Sequence, residues 1–216
     1  GGPAAVRVAR SAVEAAVAAL RAGGVAVMPT DTVYGLAAAL DSAEGVEALY
    51  RVKGRPRSQP CQVLIYSAAA LEEALAPLGA RVAAAARALL PGPATCLVPD
   101  PSGRYAAAAG EAAGSVGVRA PRVAGPLAEI DLPLVATSAN HPGGPDPATV
   151  DAVPGDLRAA ATAVLDAGRL PGTASAVVDL RPAAEGGPAL LIRPGPEPRR
   201  VVAALRAVGV ALDEAP

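Results

Sequence analysis

The residues of this chain that could do chemistry follow or flank short apolar runs. Thr30, Asp31 and Thr32 come after Val25 to Met28. Lys53 and Arg55 stand two apart, and Arg119 closes an apolar run. Thr137, Ser138 and Asn140 end another, while Ser175 and Arg193 flank the last two. Taken singly, such residues cap helices, close Asx or ST turns, or sit solvated on loops. Gathered at strand ends in one sheet, four cations and several hydroxyls would line a pocket for a polyanion and a small polar substrate. ATP with an amino acid is such a pairing.

The cations are unevenly chosen. Lys and Arg together number 19, and Lys53 is the one lysine. It is either a chance survivor on the surface or an ammonium retained for its compact charge, which suits a single phosphate oxygen. An Arg fork better matches a carboxylate or two phosphate oxygens at once.

Other chemistries find little support. No G-x-x-x-x-G-K-[ST], G-x-G-x-x-G or H-E-x-x-H motif occurs, which argues against a P-loop, a Rossmann dinucleotide site or a zincin. One His and two Cys offer no metal-ligand spacing and no disulfide framework, so no protein-held metal is expected. Cys61 with His141 as a thiol–base pair has no local support, and a buried Cys beside a loop His is the commoner arrangement. A net charge of −1 gives no global reason to hold a polyanion, so any RNA contact is expected to be local, weak or indirect. No apolar stretch is long enough to cross a bilayer and no signal-like start is present. These features predict a cytoplasmic protein without membrane contact.

The elements that must position these residues can be read from periodicity. At 216 residues the chain can bury roughly 70% of its unfolded surface. With four Tyr as its aromatics, it must build its core from Ala, Val and Leu. Ser11 and Glu14 form a capping box ahead of Val13, Val17 and Leu20, predicting a helix that ends at Gly23-Gly24. Helices are also predicted over Asp41 to Arg51, through Leu71, Leu75 and Leu78, over Ala80 to Leu90, and over Arg199 to Val208. Strands are predicted at Val25 to Met28, Val63 to Tyr66, Thr95 to Val98, Val116 to Val118, Leu134 to Thr137, Ala176 to Leu180 and Ala189 to Ile192. Gly143 to Pro147 and Ala183 to Pro188 read as loose. The alternation predicts one α/β domain with polar loops at strand ends.

In sequence order, the blocks P-T-D-T-V-Y-G-L from Pro29, K-G-R-P from Lys53, P-G-P-A-T from Pro91, V-G-V-R from Val116, T-S-A-N from Thr137, S-A-V-V-D from Ser175 and I-R-P-G from Ile192 closely resemble those of the YrdC family. The resemblance covers 12–205, with 1–11 as an N-terminal extension and 206–216 as a C-terminal tail. Pro142-Gly143 stands where the family often has Ser-Gly, and Ala94 stands where a larger aliphatic residue is usual.

The resemblance implies a twisted, mixed α/β sheet around a positively charged concave cavity, in the family's short form. It implies synthesis of L-threonylcarbamoyl-AMP from L-threonine, bicarbonate and ATP, with Mg²⁺ arriving on ATP. A downstream transferase complex would then modify the adenosine beside the tRNA anticodon. By the same resemblance Lys53 and Arg55 are catalytic, and Lys53, Arg55, Ser138, Asn140 and Arg193 bind ATP. Thr32, Arg119, Thr137 and Ser175 bind threonine. Lys53→Ala is expected to abolish adenylate formation with the fold intact. A carbamoyl-adenylate-forming transfer module and a noncatalytic RNA-binding member are the alternatives.

Overall fold

The computed structural model describes residues 5–112 and 114–216. Ten strands form one sheet: β1 Ala26–Met28, β2 Gly35–Ala39, β3 Gln62–Leu64, β4 Ala94–Pro99, β5 Ser115–Arg119, β6 Leu134–Ser138, β7 Ala163–Val164, β8 Ala176–Asp179, β9 Ala189–Arg193 and β10 Leu212–Glu214. Their order is β10-β9-β8-β4-β5-β3-β6-β2-β1-β7, with parallel and antiparallel neighbours mixed. The helices are α1 Arg10–Arg21, α2 Ala43–Lys53, α3 Ala68–Leu75, α4 Ala80–Leu89, α5 Ala106–Ala109, α6 Gly155–Ala160 and α7 Pro198–Ala207.

Alternation along the strands decides where the cavity lies. Val63, Cys96, Val98, Val116, Val118 and Val178 face one side, against residues of α3, α4 and α7 such as Leu75, Ala86 and Leu205. Their neighbours Gln62, Leu64, Thr95, Leu97, Gly117 and Val177 face the other side and floor a cavity. Helix α1 covers that second face only beyond β3, where Val13, Ala16 and Leu20 meet Met28, Ala37, Leu64 and Ala136. The open stretch of sheet is the floor of the site.

Several boundaries differ from expectation for local reasons. Ser11 lies inside α1, whose N-cap is Ala9 with no side-chain cap, so Ser11 and Glu14 form no capping box. The second helix starts later than Asp41 because Ser42 caps it, accepting from the Gly45 N–H at 3.0 Å. It runs on to Lys53, and Gly54 ends it in the left-handed region at φ 60°. Strand β2 was missed because Gly35 to Ala39 are buried on both faces and show no alternation. Arg181–Glu185 forms a 3₁₀ turn where looseness was expected, and Leu212–Glu214, within the expected tail, pairs with β9 as an edge strand.

A bulge between β8 and β9 aims one cation. Leu191 pairs with Val178, but Val177 pairs with Arg193, leaving Ile192 as the extra residue. The bulge brings Arg193 into register with Val177, a floor residue, and Arg193 lines the cavity. Gly195 follows at φ +67°, where an added Cβ would lie 2.3 Å from the Ala176 backbone nitrogen. Gly195→Ala is therefore expected to cost at least ~2 kcal/mol, about 4–8 °C in Tm. Gly54→Ala has a similar φ but meets nothing within 4 Å, and should cost about half as much. Thermal melts check this, and equal losses would remove the contact with Ala176 as the cause.

Candidate active site

The loop after β1 is folded by its own hydroxyls. Thr30 Oγ1 accepts from the backbone N–H groups of Thr32 and Val33 and donates to the Val33 carbonyl at 2.7 Å. Its proton is thereby used, so the Thr32 hydroxyl, 3.0 Å away, donates to it. Thr32 Oγ1 also accepts from Arg119 Nη2 at 3.1 Å. What Thr32 still offers a ligand is a lone pair.

Arg119, at the end of β5, is 1% exposed. Its Nη2 pairs with Asp31 as well as Thr32, and Nη1 donates to the Gly92 carbonyl at 2.6 Å. Asp31 in turn accepts from the Arg122 backbone N–H at 3.0 Å. Arg119 thus lines the cavity with much of its donor capacity already committed within the protein.

Lys53 sits at the C-terminal end of α2, where the helix dipole favours a cation. Its Nζ donates to the Ser138 carbonyl at 2.8 Å, to the Asn140 carbonyl, and to Asn140 Oδ1 at 3.3 Å. Three acceptors match three ammonium protons. The residue is 7% exposed, and burial, followed by the nearby Arg55 charge, pushes its pKa below the usual lysine value. Ser138 Oγ donates to Asn140 Oδ1 at 2.7 Å, while Asn140 Nδ2 reaches the Gly144 carbonyl at 3.0 Å and Asp146 at 3.3 Å. These bonds order the loop expected to be loose at Gly143 to Pro147.

The cavity holds about 480 Å³, within the range of small-molecule sites. Of the residues expected to bind ligand, Arg55, Ser138, Arg193, Thr32, Arg119, Thr137 and Ser175 line it. Lys53 and Asn140 do not. They stand behind Ser138 and hold its turn in place. Arg55 donates to the Pro60 carbonyl at 2.7 Å, and its buried Nε has no partner among the described residues. Arg193 Nε donates to the Ser175 carbonyl at 2.8 Å, and its Nη2 lies 3.3 Å from Ser175 Oγ.

The lining also contains Gln62, Thr95, Ser115, Asp146 and Arg181, which were not singled out from sequence. Arg181 follows β8 much as Arg193 ends β9, so the same signal pointed to it. It forms a fork with Asp179 at 2.9 and 2.8 Å. Burial works against the Asp179 carboxylate, but the Arg181 side-chain and backbone donors outweigh it and hold its pKa low. Burial raises the Cys61 thiol, and His141 pairs with Asp156 at 2.9 Å, so the structure provides no thiol–base pair. Among the described residues no three His, Cys, Asp or Glu converge on a metal site, and no helix is long and apolar enough to cross a membrane.

A model of the Sua5, YciO and YrdC family, described as "Telomere recombination", matches residues 18–195. The chain belongs to this family. A Mycobacterium tuberculosis relative, named provisionally as a threonylcarbamoyl-AMP synthase, is 37% identical over 84% of this chain and 82% of its own length. The Bacillus subtilis threonylcarbamoyl-AMP synthase is 31% identical over 71% of this chain, which spans 45% of that longer protein. The solved Pyrococcus abyssi Sua5 in complex with L-threonine superposes with a TM-score of 0.73 at 28% identity, covering 96% of this chain and 60% of that one. The mixed twisted α/β sheet is thus the family's fold, as the sequence blocks implied.

In this family member Lys53 has a structural duty that sequence did not reveal. Lys53→Ala would leave the Ser138 and Asn140 carbonyls without their buried cation, so the expectation of an unaffected fold is revised. A loss of roughly 2–3 kcal/mol is expected, with faster proteolysis near 138–147. Denaturant melts and limited digestion check it, and an unchanged midpoint would return Lys53 to a purely chemical role.

Proposed function

We propose that this chain makes L-threonylcarbamoyl-AMP from L-threonine, bicarbonate and ATP with release of pyrophosphate. The observation that carries the reading is one cavity lined by Arg55 and Arg193, neither paired with a carboxylate among the described residues, together with Thr32, Thr137, Ser138 and Ser175. The names of the relatives and the threonine complex of the Pyrococcus abyssi protein support it. A tRNA-modifying transferase complex would consume the product, with tRNA bound elsewhere or weakly, and the cytoplasm is the compartment this reading assigns.

The chemistry follows from the charges. Threonine's amine and bicarbonate give a carbamate and water. A carbamate oxygen attacks the α-phosphorus, and the bond from that phosphorus to the bridging oxygen breaks as pyrophosphate leaves. Little proton transfer is required of the protein. The difficulty is to gather several anions and to stabilise charge growing on the phosphate, which positioned cations and donors accomplish. Arg55 and Arg193 serve the phosphates in this scheme, with the Ser138 hydroxyl held by Asn140 and the Ser138 carbonyl by Lys53. Arg119 fixes Thr32 and Asp31 and has guanidinium N–H groups left for an anionic oxygen. Mg²⁺ brought by ATP would supply charge screening at the phosphates. Asp146 and Ser138 are oxygen donors in the lining that it can meet.

Mass detection of the adenylate, with pyrophosphate release that requires both threonine and bicarbonate, tests the reading. Dependence on carbamoyl phosphate would instead indicate carbamoyl transfer, and absent turnover with tight RNA binding would indicate a binding protein. Selectivity gives a finer test. Valine replaces threonine's hydroxyl with a methyl, leaving a hydroxyl-reading site unpaired at a cost of ~1–3 kcal/mol, whereas serine keeps the hydroxyl. Turnover is expected in the order threonine, serine, valine, and Thr32→Val or Ser175→Ala should narrow the gap between threonine and valine. Faster turnover of valine than serine would overturn the hydroxyl-reading site.

A further inference from the structure

Gln62 is a polar residue on the floor of the cavity that the proposed chemistry has not used. It lies on β3 opposite Gly117 of β5, and β5 separates it from β4. Its Oε1 nevertheless accepts a hydrogen bond from Thr95 Oγ1 of β4 at 3.0 Å, so the side chain spans the middle strand. Gly117 permits the crossing. A Cβ there would stand 3.1 Å from Thr95 Cγ2 and 3.8 Å from Gln62 Cβ, in the gap the two side chains bridge.

The bonds beyond Thr95 are consistent with this direction. Arg193 is donor-only, and its Nη2 lies 3.3 Å from Ser175 Oγ, which must accept. Ser175 Oγ lies 3.1 Å from Thr95 Oγ1, and because the Thr95 proton goes to Gln62 Oε1, Ser175 is the donor between them. The bonds from Arg193 through Ser175 and Thr95 thus run one way, and the Gln62 amide sits with its oxygen toward Thr95 and its nitrogen away from it. Among the described residues Nε2 has no protein acceptor, and it is not among the buried unpaired atoms, while Gln62 lines the cavity.

We infer that Gln62 Nε2 is a substrate-binding donor for a planar carboxylate-type anion, either the carboxylate of the amino acid or the bicarbonate-derived carboxyl group. A neutral amide held in one orientation among Gly117, Thr95 and Ser175 suits a singly charged planar group. The greater charge of a triphosphate is matched by the guanidinium groups instead. The inference rests on the proposed function, since that supplies both candidate anions.

Gln62→Glu separates this role from a structural one. The glutamate still accepts from Thr95, so the chain and the melting temperature should be kept, but the donor is replaced by negative charge. KM for threonine or for bicarbonate, measured separately, is expected to rise about tenfold or more, equivalent to about 1.4 kcal/mol per decade. Gln62→Leu should raise the same KM by a smaller factor because it adds no repulsion. The substrate whose KM moves identifies the anion. Both KM values within twofold of the parent, rescue by Glu of a defect seen in Leu, or a change confined to ATP would each overturn the inference while leaving the adenylation reading standing. A parent that shows no threonine-dependent turnover would overturn that reading, and the inference with it.

Discussion

The rim of the cavity depends on the Arg119 guanidinium, buried where three segments meet. From the end of β5 it reaches Asp31 and Thr32 after β1 and the Gly92 carbonyl ahead of β4. Removing a cation and a carboxylate from water costs several kcal/mol for each ion, and attraction offsets that only when the remaining donors and acceptors are also satisfied. Asp31 meets the condition by accepting from the Arg122 backbone as well. The loops that carry Thr32 and the P-G-P-A-T block are therefore fixed relative to each other through one side chain. Replacement by Lys would not reproduce this, since its donors all sit on one nitrogen, whereas the guanidinium places Nη1 on the Gly92 carbonyl and Nη2 on Asp31 and Thr32.

Around that anchor the sheet has little bulk of its own. Alanine supplies many of its buried contacts, and Gly117 supplies none, so the floor stays low enough for Gln62 to cross it. Bulkier side chains at these floor positions would fill the part of this face that α1 leaves open. The composition that makes the core depend on Ala, Val and Leu also provides room in the cavity, and the small side chains hold the core through many close contacts.

Much of this was legible in the residues. Long amphipathic stretches such as α2, α4 and α7 announced themselves by spacing, and most strands by short apolar runs. Strand β2 did not, because burial on both faces erases alternation, and α5 and α6 are too short for periodicity to register. For the site, polar residues at strand ends pointed to eight of the lining residues, Thr30 among them. Lys53 and Asn140 share motifs with those residues, yet their side chains turn to backbone carbonyls and to Ser138, a choice that depends on tertiary distances and not on spacing. Gln62 was missed for a different reason. It opens β3, just ahead of the apolar run expected from Val63 to Tyr66, whereas the signal used was polar residues that follow such runs, and its partner Thr95 is two strands away.

The cations of the cavity divide by what already holds them. Arg119 and Arg181 are each matched by a carboxylate, Asp31 and Asp179, so they shape the wall more than they add net charge. Arg55 and Arg193 are tethered by the Pro60 and Ser175 carbonyls, which fix geometry without neutralising the guanidinium. That distinction lets a chain with a net charge near zero carry the polyanion site proposed above. Among the described residues Arg55 and Arg193 form no ion pair with a carboxylate, although Asp146 also lines the cavity. Because these side chains are already ordered, a ligand is spared the ~0.5–1.5 kcal/mol that immobilising each would cost. The same preorganisation would favour the proposed adenylation, since donors fixed before the phosphate gathers charge need not reorganise as it does.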